Sequence, residues 1–205
     1  MDKRKTVKIA VLVSGGGTNL QALIDACNSN IIKSGKIELV ISSNPDAYAL
    51  ERAARASIPS AVVSKKECGS QDLFENRIKE LLLKNDIDLV VLAGFMNILS
   101  AEFTKDYPER IINVHPSLIP SFCGKGFYGL HVHKAALEYG VKVTGATVHF
   151  VNEIPDGGKI ILQKSVAIKK NDTPESLQRR VMEQAEWKIL PKAVELVSKN
   201  ILKSL

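Results

Sequence analysis

The sequence predicts an α/β fold: a Rossmann-like, doubly wound, mostly parallel sheet with a mixed C-terminal extension and a long C-terminal helix. Three observations support this class. Short apolar runs alternate with helical patterns through the first two thirds of the chain. One run, residues 87–93, is apolar at nearly every position, as expected of a parallel strand covered on both faces. The final third changes to strand, loop, strand and helix.

In chain order, residues 7–13 are predicted as a buried strand, 20–27 as a helix and 37–42 as a second strand. Pro45 then opens a helix that reaches residue 56, because proline is tolerated in the first turn. Residues 61–63 form a short strand, and Ser70 caps a helix whose apolar positions follow the 3.6-residue period. The strand 87–93 follows, and Pro116 ends a further strand at 111–115. The remaining predicted elements are a helix at 129–139, strands at 141–151 and 159–168, and an amphipathic helix at 174–199.

The composition is that of an ordinary globular domain, with 45% apolar and 24% charged residues. One domain, residues 1–205, is predicted, because the sequence shows neither a repeat nor a linker. No apolar run is long enough to span a bilayer, and the run after the basic start is a strand rather than a signal-peptide core. Three scattered cysteines predict neither a disulfide framework nor a zinc site, and they fit a reducing cytoplasm.

The net charge of +6 comes from scattered lysines and arginines, with no basic run interleaved with aromatic residues. No nucleic-acid partner is therefore expected. The excess charge indicates either a solvated basic surface or a pocket for a small phosphorylated or carboxylated substrate.

A glycine loop, Ser-Gly-Gly-Gly-Thr-Asn at residues 14–19, joins the first strand to the first helix. Glycines let the backbone approach an anion, and free amides at the start of a helix attract phosphate. The dinucleotide fingerprint fails because Leu20 replaces its third glycine and no acidic residue ends the second strand. A monophosphate site with Thr18 and Asn19 as donors remains, and so does a glycine turn that binds nothing.

Asn113 and His115 lie two residues apart in a strand, so their side chains share one face. His115 also leaves the C-terminal end of that strand, where ligands bind in open α/β sheets. A loop that brings Asp156 beside His115 would raise the pKa of the imidazole above about 6.5. Such a site can stabilise a tetrahedral acyl-transfer intermediate and move its proton. The alternatives are a histidine bonded to loop backbone and an ordinary Asp-Gly turn.

The sequence gives less support to the other histidines, Ser117 and Cys123 as catalytic residues. His131 and His133 are predicted as surface or loop anchors, and His149 as a buried, hydrogen-bonded strand residue that can line the pocket. Ser117 lacks a Gly-x-Ser-x-Gly elbow. Cys123, with a pKa lowered by the neighbouring lysine, is the alternative for a covalent route.

Five segments carry a resemblance to a known family: the glycine loop, residues 93–100 (AGFMNILS), 113–120 (NVHPSLIP) and 144–151 (TGATVHFV), and Asp156-Gly157-Gly158. In this order, from about residue 7 to about 197, the chain closely resembles the phosphoribosylglycinamide formyltransferases, the folate-dependent transformylases of purine synthesis. The resemblance implies direct transfer of the formyl group of 10-formyltetrahydrofolate to the amine of 5-phosphoribosylglycinamide (GAR). It implies a cytoplasmic monomer or homodimer with these two small-molecule partners and with no metal, nucleic acid or membrane partner.

The resemblance also implies roles for individual residues. Asn113 and protonated His115 would stabilise the oxyanion, His115 would pass a proton to the leaving nitrogen, and Asp156 would set the charge of His115. The implied GAR contacts are Gly16, Gly17, Thr18, Asn19 and Glu186. The implied folate contacts are Met96, Asn97, Ile98, Leu99, Asn113, Asn152, Glu153, Ile154, Pro155 and Asp156. The chain would then divide near residue 100 into a phosphate-binding half and a catalytic and folate-binding half.

Departures from the family pattern concern the folate. Asn97 and Gln71 stand where the family usually has arginines, and Lys65 or Lys66 are candidates to compensate. The loop at 123–129 is longer than in the shortest family members. Two other functions remain open. A related formyltetrahydrofolate hydrolase usually has a His-His pair where this chain has His115 followed by proline. A non-catalytic phosphate- or nucleotide-binding module would leave Asn113, His115 and Asp156 unexplained.

Overall fold

A computed structural model describes residues 6–204, so the basic start at residues 1–5 lies outside the described residues. Within this range the chain forms a seven-stranded sheet in the order β3-β2-β1-β4-β5-β6-β7. The strands are β1 (Val7–Val13), β2 (Gly35–Ser42), β3 (Ser60–Val62), β4 (Leu89–Leu92), β5 (Ile111–His115), β6 (Val143–Phe150) and β7 (Ile160–Ala167).

The first five strands are parallel, and the last two add antiparallel to the edge after β5. The strand order reverses between β1 and β4, which is the switch point of a doubly wound sheet. The predicted fold class, including its mixed extension, is confirmed. The division into two functional halves near residue 100 stays a prediction.

The helices are α1 (Thr18–Asn28), α2 (Tyr48–Arg55), α3 (Lys65–Cys68), α4 (Gln71–Lys84), α5 (Ala101–Lys105), α6 (Leu130–Tyr139), α7 (Pro174–Val181) and α8 (Trp187–Ser204). A π-helical turn, Met182–Glu186, joins α7 to α8. No helix among residues 6–204 is long and apolar enough to cross a membrane.

Strand β1 shows why the sheet is covered on both faces. Its alternate residues Val7, Ile9, Val11 and Val13 pack into one apolar cluster with α1 and α8. The residues between them, Ala10 and Leu12, pack into a second cluster with α4 on the other face. Because successive side chains of a strand point to opposite faces, an unbroken apolar run fits this two-sided burial.

Two helix predictions were wrong in detail. Pro45 does not open a helix, because Asn44 forms a turn around it: the Oδ1 atom of Asn44 accepts from the amide of Asp46 at 3.0 Å, and α2 begins only at Tyr48. The predicted helix at 174–199 is interrupted by the π-helical turn and ends five residues later, at Ser204.

The π-helical turn has a packing cause. One series of fully or nearly fully buried apolar residues in this region recurs at every fourth position: Leu177, Val181, Ala185, Ile189, Ala193, Val197 and Ile201. A four-residue spacing drifts around an α-helix of 3.6 residues per turn. The wider i→i+5 turn takes up part of that drift and keeps the apolar stripe against the sheet.

Candidate active site

The Asp156 carboxylate lies between Asn113 and His115 at the carboxyl end of β5. Its Oδ1 atom is 3.4 Å from Nδ2 of Asn113, and its Oδ2 atom is 3.4 Å from Nδ1 of His115. Asn113 and His115 reach it together because they share one face of β5. The structure therefore confirms the meeting of Asn113 and His115 that the strand spacing predicted, and it brings Asp156 beside them, as the resemblance implied.

The loop that carries Asp156 is tightly constrained. Asp156 itself has a positive φ of 57°, which is uncommon outside glycine. A Cβ atom at Gly158 would lie 1.8 Å from the carbonyl oxygen of Phe150, so only glycine fits there. The amide of Gly124 donates to Oδ2 of Asp156 at 2.8 Å. Neighbouring backbone thus fixes the carboxylate from two sides.

His149 is a fourth member of the site. Its Nε2 atom lies 3.3 Å from Nδ2 of Asn113 and 3.5 Å from Oδ1 of Asp156. Its Nδ1 atom is 2.7 Å from the carbonyl oxygen of Phe150, which can only accept, so Nδ1 carries the proton. When the ring is neutral, Nε2 is left to accept from the Asn113 amide. The buried, hydrogen-bonded histidine is confirmed; the antiparallel pairing of Asn113 with His149 that brings it here could not be read from the sequence.

Burial dominates the electrostatics of His115, which is 4% exposed. Loss of solvent lowers the pKa of His115; the Asp156 carboxylate and the Phe122 carbonyl offset this only in part, and His149 adds to it. The expectation that Asp156 raises the pKa of His115 above its ordinary value was wrong, because the cost of burial exceeds the attraction. Nε2 of His115 lies 2.9 Å from the carbonyl oxygen of Phe122, so Nε2 carries the proton and Nδ1 is the free acceptor of the neutral ring.

Asp156 remains a carboxylate at neutral pH. Burial acts to raise its pKa, but the rings of His149 and His115, which stabilise the carboxylate when they are protonated, and the amide of Gly124 outweigh that effect. Its pKa therefore lies below the ordinary aspartate value. When His115 takes up a proton, the negative charge of Asp156 therefore stabilises the imidazolium.

The remaining histidines and the cysteine differ from some expectations. His133 is fully buried in α6, and burial followed by the influence of His115 lowers its pKa to about 4, so its prediction as a surface or loop anchor was wrong. His131 is exposed. Burial and then the charge of Asp156 raise the pKa of Cys123, so the expected lowering was also wrong.

Among residues 6–204 no three histidine, cysteine, aspartate or glutamate side chains are grouped to hold a metal ion.

A cavity of about 690 Å³ opens from these side chains. Its wall includes nine of the ten implied folate contacts: Met96, Asn97, Ile98, Leu99, Asn113, Asn152, Glu153, Pro155 and Asp156. Ile154 is not part of the wall, and its side chain is 58% exposed. Residues 124–129 complete the wall, and they were noticed in the sequence only as a long loop.

The glycine loop turns the carbonyl groups of Gly15 and Gly16 towards α2. Gly15 and Gly16 accept from the amide of Ala49 and from Nε of Arg52, at 3.1 and 2.8 Å. Gly17 has a φ of 69°, and a Cβ atom there would lie 2.7 Å from the Ala49 Cβ atom. In the described part of the chain the amides of these three glycines have no hydrogen-bond acceptor. They lie at the start of α1, where an anion would be favoured.

Glu186 and Asn19 form a buried pair beside this loop. Nδ2 of Asn19 donates to Oε2 of Glu186 at 2.6 Å. Burial raises the pKa of Glu186 to about 7, and the hydrogen bond from Asn19 offsets it only in part. Oδ1 of Asn19 has no partner among residues 6–204. The π-helical turn ends at Glu186 and so brings this carboxyl group to the N-terminal end of α1.

The fold and the site are those of an α/β enzyme whose amide, imidazole and carboxylate groups suit the transfer of a small acyl group. Residues 7–194 match the formyl transferase family, and the chain belongs to this family.

Within the family, the chain is similar to the phosphoribosylglycinamide formyltransferase of Haemophilus influenzae, with 43% identity over 96% of this chain and 89% of that protein. It is 45% identical to the trifunctional purine biosynthetic protein adenosine-3 of Gallus gallus over 94% of this chain, but spans only 18% of that longer protein. Among solved structures, glycinamide ribonucleotide transformylase 1 from Symbiobacterium toebii is 41% identical and superposes with a TM-score of 0.89, covering 96% of this chain and 89% of that one.

Proposed function

We propose that this chain transfers the formyl group of 10-formyltetrahydrofolate to the amine of GAR, giving N-formyl-GAR in purine synthesis. The observation that carries the proposal is the meeting of Asn113, His115 and Asp156 in the wall of the 690 Å³ cavity. The similarity to phosphoribosylglycinamide formyltransferases supports the choice of substrates.

The reaction begins when the GAR amine nitrogen bonds to the formyl carbon and the carbonyl electron pair moves to oxygen. Nδ2 of Asn113 supports the resulting oxyanion. Its two contacts, with His149 and Asp156, are long, at 3.3 and 3.4 Å, so one of its two hydrogens can turn to the oxyanion at little cost.

His115 moves the proton. Burial keeps its imidazole neutral, so Nδ1 takes the proton from the attacking amine. The imidazolium that forms faces the Asp156 carboxylate and is stabilised by it. The same proton then passes to the folate nitrogen as its bond to carbon breaks, which releases tetrahydrofolate. His115 thus acts first as a base, rather than starting as the protonated ring that the family resemblance implied.

The two substrates would occupy different parts of the site. The free amides at Gly16 and Gly17, with Thr18 and Asn19, suit the GAR phosphate, and Glu186 suits its glycinamide end. The cavity wall at 96–99, 152–153 and 155–156 suits the folate ring. A cytoplasmic location and a monomeric or homodimeric state remain predictions.

A spectrophotometric assay of the purified protein with GAR and 10-formyltetrahydrofolate tests this proposal. Tetrahydrofolate release that requires GAR supports transfer. Equal release without GAR would indicate a hydrolase, and no consumption of the folate would favour a non-catalytic binding module. Either of the last two results would overturn the proposal.

A further inference from the structure

One face of α4 contacts the loop at residues 94–100, which we call the donor loop. The face consists of Gln71, Phe74 and Glu75, spaced i, i+3 and i+4 and therefore adjacent on the helix surface. Phe74 is fully buried and Glu75 is 4% exposed. A buried glutamate is rare unless its oxygens are hydrogen-bonded.

The Glu75 carboxylate holds the C-terminal end of the donor loop. The amide of Ser100 donates to Oε1 at 2.6 Å, and its hydroxyl donates to Oε2 at 2.5 Å. Nε2 of Gln71 donates to the same Oε1 at 2.6 Å. All three of these groups are donors, so both carboxylate oxygens of Glu75 act as acceptors.

Gln71 extends this network to the middle of the donor loop. Besides its bond to Glu75, its Nε2 atom lies 3.1 Å from the carbonyl oxygen of Ile98. The Gln71 side chain therefore links the buried carboxylate of α4 to a residue of the cavity wall.

The other end of the donor loop is held separately. Phe74 stacks on Phe95 with ring centres 6.3 Å apart, and the amide of Met96 donates to Oγ of Ser14 at 2.9 Å. Met96 and Ile98 nevertheless keep exposed side chains in the cavity wall, at 55% and 62% exposure. The backbone of the loop is fixed, while two of its apolar side chains remain free to contact a ligand.

We propose that Gln71 and Glu75 are positioning residues for the formyl donor: they fix the donor loop in the shape that binds the folate ring. The assignment rests on the proposed function. It gives Gln71 a role that involves no direct contact with the folate tail. Neither residue reaches Asn113, His115 or Asp156 through the contacts described above, so their influence is on donor binding rather than on the chemical step.

The kinetic test uses Gln71→Met, which keeps the side-chain length but removes both donated bonds, together with Glu75→Gln. We expect the KM for 10-formyltetrahydrofolate to rise about tenfold, while kcat and the KM for GAR stay within about twofold. Glu80→Gln is the matched control, since Glu80 lies on the exposed side of α4 in a surface pair with Arg77. Unchanged donor KM values in both variants would overturn the inference. So would a parallel rise of both KM values with a lower melting temperature, which indicates a merely structural role.

Amide hydrogen exchange without substrates tests the same inference independently of the reaction. Exchange at residues 96–100 should quicken in Gln71→Met and Glu75→Gln, and should not change in Glu80→Gln. Equal exchange in all the proteins would overturn the inference. If the wild-type protein shows no GAR-dependent turnover, the proposed function fails, and the exchange result still decides whether α4 fixes the loop.

Discussion

Oδ2 of Asp156 lies 3.4 Å from Nδ1 of His115, the nitrogen that remains unprotonated when Nε2 donates to the Phe122 carbonyl. This geometry makes the carboxylate a stabiliser of the imidazolium that forms during the reaction, rather than a group that keeps the ring charged beforehand. Burial of His115 outweighs the attraction of Asp156, so the ring starts neutral. The carboxylate acts when the proton arrives.

Asp156→Asn should change the pH dependence of the reaction. The base form of His115 is required, so kcat/KM rises with pH through the pKa of His115. Removing the Asp156 charge removes an effect that raises this pKa, so the rising limb should move to lower pH while kcat falls. Profiles of kcat and of kcat/KM from pH 4 to 9 measure the two effects. An unchanged profile would remove Asp156 from this role.

Asn113→Ala should lower kcat by on the order of 10²–10³-fold, the usual cost of losing one oxyanion donor. The melting temperature should change little, because Asn113 is only partly buried and its two contacts are long. Single-turnover rates and a thermal melt check the two parts. A rate close to that of the wild type would show that another group supports the oxyanion.

Glu186→Gln should stabilise the fold at pH 8 more than at pH 5. The folded-state pKa of about 7 lies above the ordinary value of 4.5, so the native state holds its proton more tightly than the unfolded chain does. The wild type therefore loses stability as pH rises from about 4.5 to 7, by at most about 3 kcal/mol. Urea unfolding of both proteins at the two pH values measures the difference. An equal effect at both would contradict the raised pKa.

Cys123→Ser should retain turnover close to that of the wild type. The pKa of Cys123 is raised rather than lowered, and its Sγ atom lies 3.3 Å from the carbonyl oxygen of Pro120, so it is a poor nucleophile. Steady-state kinetics and a search for a formylated protein by mass spectrometry test this. A formyl group in place of the thiol hydrogen would add about 28 Da to the wild-type protein. Loss of both this adduct and turnover in Cys123→Ser would establish a covalent route.

The sequence predicted most of the sheet because its strands are apolar at nearly every position, as in β1 and β4. It missed local turns set by side-chain hydrogen bonds, such as the turn around Asn44, and the π-helical turn, which depends on packing across many residues. The approach of Asn113 to His115 followed from strand periodicity alone. The position of His149 is set by the register between β5 and β6, and the neutral state of His115 is set by its burial. Neither the register nor the burial can be predicted from local sequence.

The most direct test of the central claim is the single-turnover rate of GAR-dependent tetrahydrofolate release by wild type and His115→Gln, with both substrates saturating. We expect His115→Gln to bind both substrates and fold normally but to react about 10²–10⁴-fold more slowly, the usual contribution of a general base. A rate near that of the wild type would contradict proton transfer by His115 and with it the proposed mechanism.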